Sequence, residues 1–377
     1  MKKIIVILAV VFLSALAVLF ITKSFIALAV AKGQLQSIFP KSEISISGCA
    51  IDPLRKLSFS GIKIKREKVY EFDIKEAGIN YNLAGIFKRN IAKAYLKDAR
   101  INITLGQKSV LEFNEYLNLS SPNIFIIREL QLTNVALDLK AKEVSLAMKL
   151  SAGVDLFNQE VKSLDARAES LESQGVFLKE VVLKVAQEFP QGEFSIQQAS
   201  YDKANVGRVK ARADLKGKDL SFSELTTRLF DGEVNGEARV VLMQNPEYSA
   251  SLKFSNLDME RFIKDFKLEE KFQMTGKLSG NIVLKGQGAD LRIIEGDLWA
   301  GEAGGIMVVK DDTVLKNMAR GSNQPLDILV ESFKDYHYNT GVMKLSKKQE
   351  DLIMDIALDG EKGKRSLTVT LHDFAAP

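Results

Sequence analysis

Cysteine is almost absent from this chain: of 377 residues only Cys49 carries a thiol. One cysteine can neither close an intramolecular disulfide nor build a cysteine zinc cluster. Histidine is nearly as rare. His337 and His372 are the whole supply, and neither has a second His or a Cys at the spacing that a metal site or an acid–base pair requires. No metal and no cofactor are expected. The charges nearly cancel, 52 Lys and Arg against 48 Asp and Glu, which leaves no basic face of the kind a nucleic-acid reader needs. Nucleophile motifs are missing too, since serines fall mostly at the polar positions of strand-like runs, with no Gly-x-Ser-x-Gly elbow and no Ser-x-x-Lys helix. Gly286-Gln287-Gly288 lacks the third glycine and the helix that would cradle a pyrophosphate. An enzyme is therefore not expected. Prolines number 7, and their scarcity suits long uninterrupted strands.

What the chain does have starts at its N-terminus. Lys2 and Lys3 precede an uncharged apolar run from Ile4 to Thr22, followed by Lys23 and a second apolar stretch from Phe25 to Ala31. At ~1.5 Å per residue the first run is long enough to cross a hydrocarbon layer as a helix. The lysine pair in front of it places the N-terminus in the cytoplasm and the rest on the far side. Ile4, Leu8, Phe12, Leu16 and Phe20 are the expected membrane anchor. Ala29-Val30-Ala31 offers the small-x-small pattern of a cleavage site, but the apolar run exceeds the ~7–15 residues of a signal peptide. The expectation is a retained anchor whose extension, with Phe25, Leu28, Ala29, Leu35 and Phe39 repeating on one side, runs to residue 39.

Beyond residue 40 the signal is period two. Glu43 to Ser47, Arg100 to Leu105, Val144 to Leu150, Val181 to Val185, Val234 to Met243, Gly276 to Leu284 and Met354 to Leu358 all alternate apolar with polar residues, as strands with one dry and one wet face do. Ser58 to Lys65 alternates with a slip of phase at Gly61, the mark of a bulge. Asp231-Gly232 reads as a hairpin turn and Gly360 to Gly363 as another reversal. Helical spacing is confined to Asp258–Leu268, with Met259, Phe262, Ile263 and Phe266, to Leu326–Phe333, and to weaker one- or two-turn stretches at 82–89 and 313–320. The chain is expected to be mainly β: a transmembrane helix, then an elongated antiparallel-rich sheet with a few short amphipathic helices. No Gly/Ser/Pro-rich linker marks a boundary. The division is taken as 1–39 for the anchor, 40–205 for an N-terminal β region and 206–377 for a C-terminal one.

The C-terminal third carries a resemblance. Leu229 to Gly236, Pro246 to Leu252, the helix at Leu257 to Phe266 and Gly276-Lys277-Leu278-Ser279-Gly280 resemble the C-terminal module of AsmA-like envelope proteins. Gly296 to Gly305, Phe333-Lys334-Asp335-Tyr336-His337-Tyr338 and Asp355 to Gly360 look like the terminal domain of YdbH-type members. The specific part of the likeness covers residues 222–374, and this chain is much shorter than the large bridge-forming members of that group. The resemblance implies a curled sheet forming an open groove with an apolar inner face, and a role in moving phospholipids between the inner and outer membranes of diderm bacteria. The implied partners are the inner membrane, phospholipids and other envelope proteins. A dicarboxylate carrier is rejected, because one anchor helix cannot form a polar pathway through a bilayer.

Residues two apart on a strand point the same way. Val234, Gly236, Ala238, Val240 and Leu242 therefore share one face, and Leu278, Gly280, Ile282 and Leu284 another; these nine are the expected lining of a lipid groove. Gly236 and Gly280 would leave room for an acyl tail or let the sheet bend. The competing reading makes the same face the core of a closed sandwich, in an anchored structural or assembly factor of the envelope.

Overall fold

A computed structural model of the chain describes residues 26–52, 54–82, 90–108, 113, 116, 126–142, 144–173, 175–201, 204–243, 245–288, 290–310 and 335–371. The expected anchor with Ile4, Leu8, Phe12, Leu16 and Phe20, the helices expected at 313–320 and Leu326–Phe333, and His372 lie outside the described residues, as does nearly all of 82–89. Among the described residues no helix is long and apolar enough to cross a membrane. They are mainly β, with 21 strands and two short helices. Two compact units are formed, Met1–Gln174 and Gly175–Pro377.

In the first unit, helix α1 (26–38) precedes β1 (Glu43–Asp52), β2 (Lys56–Arg66), β3 (Tyr70–Asn80), β4 (Asn90–Thr104), β5 (Ile126–Lys140), β6 (Val144–Asp155) and β7 (Glu160–Ser173). These strands pair in chain order, antiparallel throughout except for the parallel pair β4–β5. A parallel neighbour demands that the chain cross back before it re-enters the sheet.

The second unit holds β8 (Val176–Ala186), β9 (Phe189–Tyr201), β10 (Ala204–Asn205), β11 (Val209–Lys216), β12 (Asp219–Leu229), β13 (Gly232–Val241), β14 (Glu247–Asp258), α2 (Met259–Asp265), β15 (Phe272–Met274), β16 (Lys277–Gln287), β17 (Asp290–Ala300), β18 (Gly305–Val309), β19 (Tyr336–Lys348), β20 (Asp351–Gly360) and β21 (Gly363–Leu371). Its main ladder is antiparallel in the order β8-β9-β11-β12-β13-β14-β16-β17-β19-β20-β21. A short side ladder, β15-β18-β19, joins it at one end. The runs of alternation read from the sequence fall within strands to one or two residues, the ordinary uncertainty of element ends.

A repeated irregularity keeps one face of these long strands apolar. Gly61, Asp98, Asn134, Glu180, Glu224 and Asn256 each sit inside a strand with φ between 50° and 59°. In the first unit the pairing passes over Ser47, Gly61, Lys75, Asp98 and Asn134, which stand opposite one another across β1 to β5. On β5 the apolar positions step from Leu130 and Leu132 to Val135 and Leu137. Strict alternation would send the second pair to the wet side, and the left-handed residue between them absorbs the extra step. Two of these kinks share a device: the freed N–H of Asn134 donates to Ser151 Oγ at 2.9 Å and that of Asn256 to Ser279 Oγ at 3.0 Å. Asn134 also donates from Nδ2 to Asp98 Oδ1 at 2.6 Å.

The β12–β13 hairpin is present, but one residue earlier than Asp231-Gly232. Leu229 pairs with Gly232, so Phe230 and Asp231, at φ 45° and 58°, are the turn, as a type I′ turn requires. Gly232 belongs to the strand, where a Cβ would stand 2.6 Å from Ser255 O and 2.7 Å from Leu257 N. The Phe230 ring is held by helix α2, 5.3 Å from Phe262 and 6.0 Å from Phe266. That helix forms where the spacing of Met259, Phe262, Ile263 and Phe266 places it, with Met259 and Ile263 buried and Asp258 as its N-cap.

Candidate functional site

Directly opposed residues of an antiparallel ladder project from the same face, so the registers of the second unit define rows that cross the strands. Gly236, Leu252, Ile282, Gly296, Leu345 and Met354 form one row from β13 to β20. Val234, Phe254, Gly280, Leu298, Met343 and Ile356 form the row on one side of it, and Ala238, Ala250, Leu284 and Ile294 the row on the other. The opposite face is polar: Asn235, Lys253, Asn281, Asp297, Lys344 and Asp355 stand side by side. Two-faced strands of this kind leave one side needing cover from water.

That cover is uneven. At one end α2 and the β15–β18 ladder close over the sheet, and Met307, Val309, Tyr336, Tyr338, Ile356 and Leu358 form a buried cluster in which Tyr336 is 0% exposed. Tyr338 donates to Thr275 O and Tyr336 to Gly363 O, each at 2.6 Å, and burial raises both phenol pKa values above the usual range. Asp258 anchors this end by accepting from Arg261 N at 3.0 Å and from Lys277 Nζ at 2.7 Å. Burial alone would raise its carboxyl, but the Lys277 ammonium and the Arg261 amide outweigh it, and the pKa is lowered. Away from the cap, Leu252, Ile282, Leu284, Leu345 and Met354 are only half-buried. Among the described residues the close backbone neighbours of these strands are almost wholly those of the ladder.

The nine residues expected to line a groove all belong to this unit. Val234 and Gly280 are buried, whereas Gly236, Ala238, Val240, Leu242, Leu278, Ile282 and Leu284 are half-buried. Val234 packs in a cluster with Phe254 and Leu257, and Leu242 lies just beyond β13, its N–H donating to Lys218 O. The room at the two glycines is taken by neighbours: a Cβ would meet Leu252 Cδ2 at 3.0 Å on Gly236 and Leu298 Cδ2 at 2.7 Å on Gly280.

Two charged residues on this face were not singled out from the sequence, although Leu345-x-Lys347 and Arg365-x-Leu367 put each at an apolar position of the alternation. Lys347 lies opposite Leu352 with a side chain only 5% exposed and its Nζ 4.0 Å from both Asp290 and Glu350 carboxylates. Arg365 lies opposite Leu358, its guanidinium 5.5 Å from the centre of the Tyr336 ring.

The first unit repeats the pattern. Ile46, Ile62, Ile74, Ala99 and Val135 are opposed across β1 to β5. Between α1 and β1–β2 lies a recess of about 480 Å³ lined by Ile26, Ala27, Val30, Ala31, Ile51, Leu57 and Phe59. Cys49, half-buried, has a thiol pKa raised by burial. His337 is exposed, with Nε2 3.0 Å from Asp335 Oδ1. Among the described residues no group of three or more His, Cys, Asp or Glu is placed to hold a metal ion.

No curated protein and no solved structure matches the chain. A family profile described as YdbH-like, intermembrane phospholipid transport protein YdbH, matches residues 116–362, a stretch that includes β5 to β20 and nearly all of the half-buried apolar rows. Since that match covers more than half of the chain, the protein belongs to the YdbH-like family of intermembrane phospholipid transport proteins.

Proposed function

We propose that this protein carries phospholipid along its apolar face for maintenance of the outer membrane and envelope, the acyl tails lying on the rows of β13 to β20 and the headgroup remaining in water. The observation that supports the reading is the incomplete burial of Leu252, Ile282, Leu284, Leu345 and Met354. A finished core would cover them. Each methylene withdrawn from water onto such a face is worth ~0.8 kcal/mol, so several turns of chain suffice to hold a tail without any catalytic group. The all-apolar recess of about 480 Å³ beside α1 is within the size range of small-ligand sites. The apolar run Ile4 to Thr22 serves in this reading as a single-pass anchor in the inner membrane, with the β units in the periplasm and other envelope proteins as partners.

Photo-crosslinkers on both faces test it. Lipid adducts are expected at Val240 and Ile282 and not at Arg239 and Asn281, which project from the polar face. Protein-only adducts from all four positions would overturn the reading. A reporter fused after Pro377 should be active only outside the cytoplasm, with the mature chain still starting near Met1; a mature N-terminus at Lys32 removes the anchor.

A further inference from the structure

Arg365 is out of place. It stands on β21 opposite Leu358, beside the buried cluster that contains Tyr336, on a face where, among the described residues from β12 to β20, the other charged occupant is Lys347. The two cations differ in their surroundings. Lys347 already has two carboxylates, Asp290 and Glu350, at 4.0 Å. Among the described residues no carboxylate pairs with Arg365; the nearest candidate on the adjoining strand, Asp359, is 3.8 Å from Lys364 Nζ. The guanidinium of Arg365 gives one hydrogen bond, from Nη1 to Lys364 O at 3.0 Å, and lies against the Tyr336 ring. Its Nε is buried and has no acceptor. A buried N–H without a partner is costly, and a charged one more so. On a planar, five-donor group it points to an acceptor other than the described residues.

An oxyanion is an acceptor of the matching chemistry. The guanidinium fork matches phosphate geometry, with two parallel donors available to two oxygens, and the apolar rows beginning at Leu358 and Ile356 would receive whatever is esterified to it. We infer that Arg365 binds the anionic phosphate of a glycerophospholipid at the capped end of the apolar face, fixing the headgroup while the tails lie on the adjoining rows. This deepens the phospholipid-carrying reading and rests on it.

The test uses the full chain in detergent and two fluorescent lipids with identical acyl chains, phosphatidylglycerol and diacylglycerol, with inorganic phosphate as competitor. Wild type should bind phosphatidylglycerol about tenfold more tightly than diacylglycerol, the size of one charge-assisted interaction. Arg365→Gln should remove that preference while leaving diacylglycerol binding unchanged, and Arg365→Lys should restore part of it. Equal binding of the two lipids by wild type overturns the inference and leaves the carrying role standing. An equal loss of both lipids in Arg365→Gln also overturns it, making the residue a cover for Tyr336. Strong protection of wild type by phosphate alone, without any preference between the lipids, would assign the site to free phosphate instead. Binding of neither lipid by wild type overturns both readings at once.

Discussion

Asp258 does two jobs at one residue, capping α2 through Arg261 N and pairing with Lys277. Asp258→Asn keeps a competent cap and removes the charge. Because the folded pKa is lowered relative to an unfolded value of about 3.9, the carboxylate's contribution is complete above that value and is lost as pH falls through the folded pKa. Urea titrations should show Asp258→Asn weaker than wild type by ~0.5–1 kcal/mol at neutral pH, with the gap closing below the ordinary carboxylate range. A gap that is constant with pH would assign the loss to packing. At Tyr338, whose hydroxyl donates to Thr275 O, Tyr338→Phe should cost ~1–2 kcal/mol without altering lipid binding. Gly232→Ala should be worse, since its Cβ would be pressed against the backbone of β14, and thermal melting would rank the two.

The mid-strand kinks are the elements' own invention. Asn134 holds φ 52°, and asparagine tolerates the left-handed region better than most side chains. Asn134→Gly keeps the backbone conformation and loses the Asp98 bond; Asn134→Val forces a β-branched residue into a region it resists. The valine variant should lose ~1–3 kcal/mol and the glycine variant clearly less, measured by denaturant midpoint at constant slope. The same elements show what the sequence discloses. Strands announce themselves because one face is dry along their whole length, so Val234-x-Gly236-x-Ala238 needs nothing beyond its own alternation. The kink at Gly61 is legible through its glycine, whereas those at Asp98, Asn134 and Asn256 are signalled only by two adjacent polar residues between apolar phases, a pattern that a loop also shows. The hairpin at Phe230-Asp231 slips by one because a bulky aromatic is a poor guess for positive φ until α2 supplies the rings that hold it. Nothing local to β4 or β5 encodes their parallel pairing, which depends on where the intervening chain returns. The candidate face was legible as a set of positions. Which of those positions are covered was not, since cover comes from α2 and β18, distant in sequence from Val234.

Across each whole unit, tolerance to charge should follow that cover. Val234 is 3% exposed and packs with Phe254 and Leu257, so Val234→Asp leaves a buried carboxylate and should unfold the second unit at a cost of several kcal/mol. Ile282→Asp, at the half-buried margin of the same cluster, should leave the fold intact by circular dichroism and abolish lipid adducts. Equal unfolding by both would mean that the entire face is sealed. The arrangement of strands that touch little but their immediate neighbours has a further meaning for how such a body loosens. Cooperativity in it is nearly one-dimensional, with each strand's resistance borrowed from the two beside it. Heat and solvent then enter from the margin, and amide exchange should be faster at β21 than around β13 and β14. A rim that frays while the interior holds would let such a sheet widen locally and re-zip, with no hinge and no second rigid state.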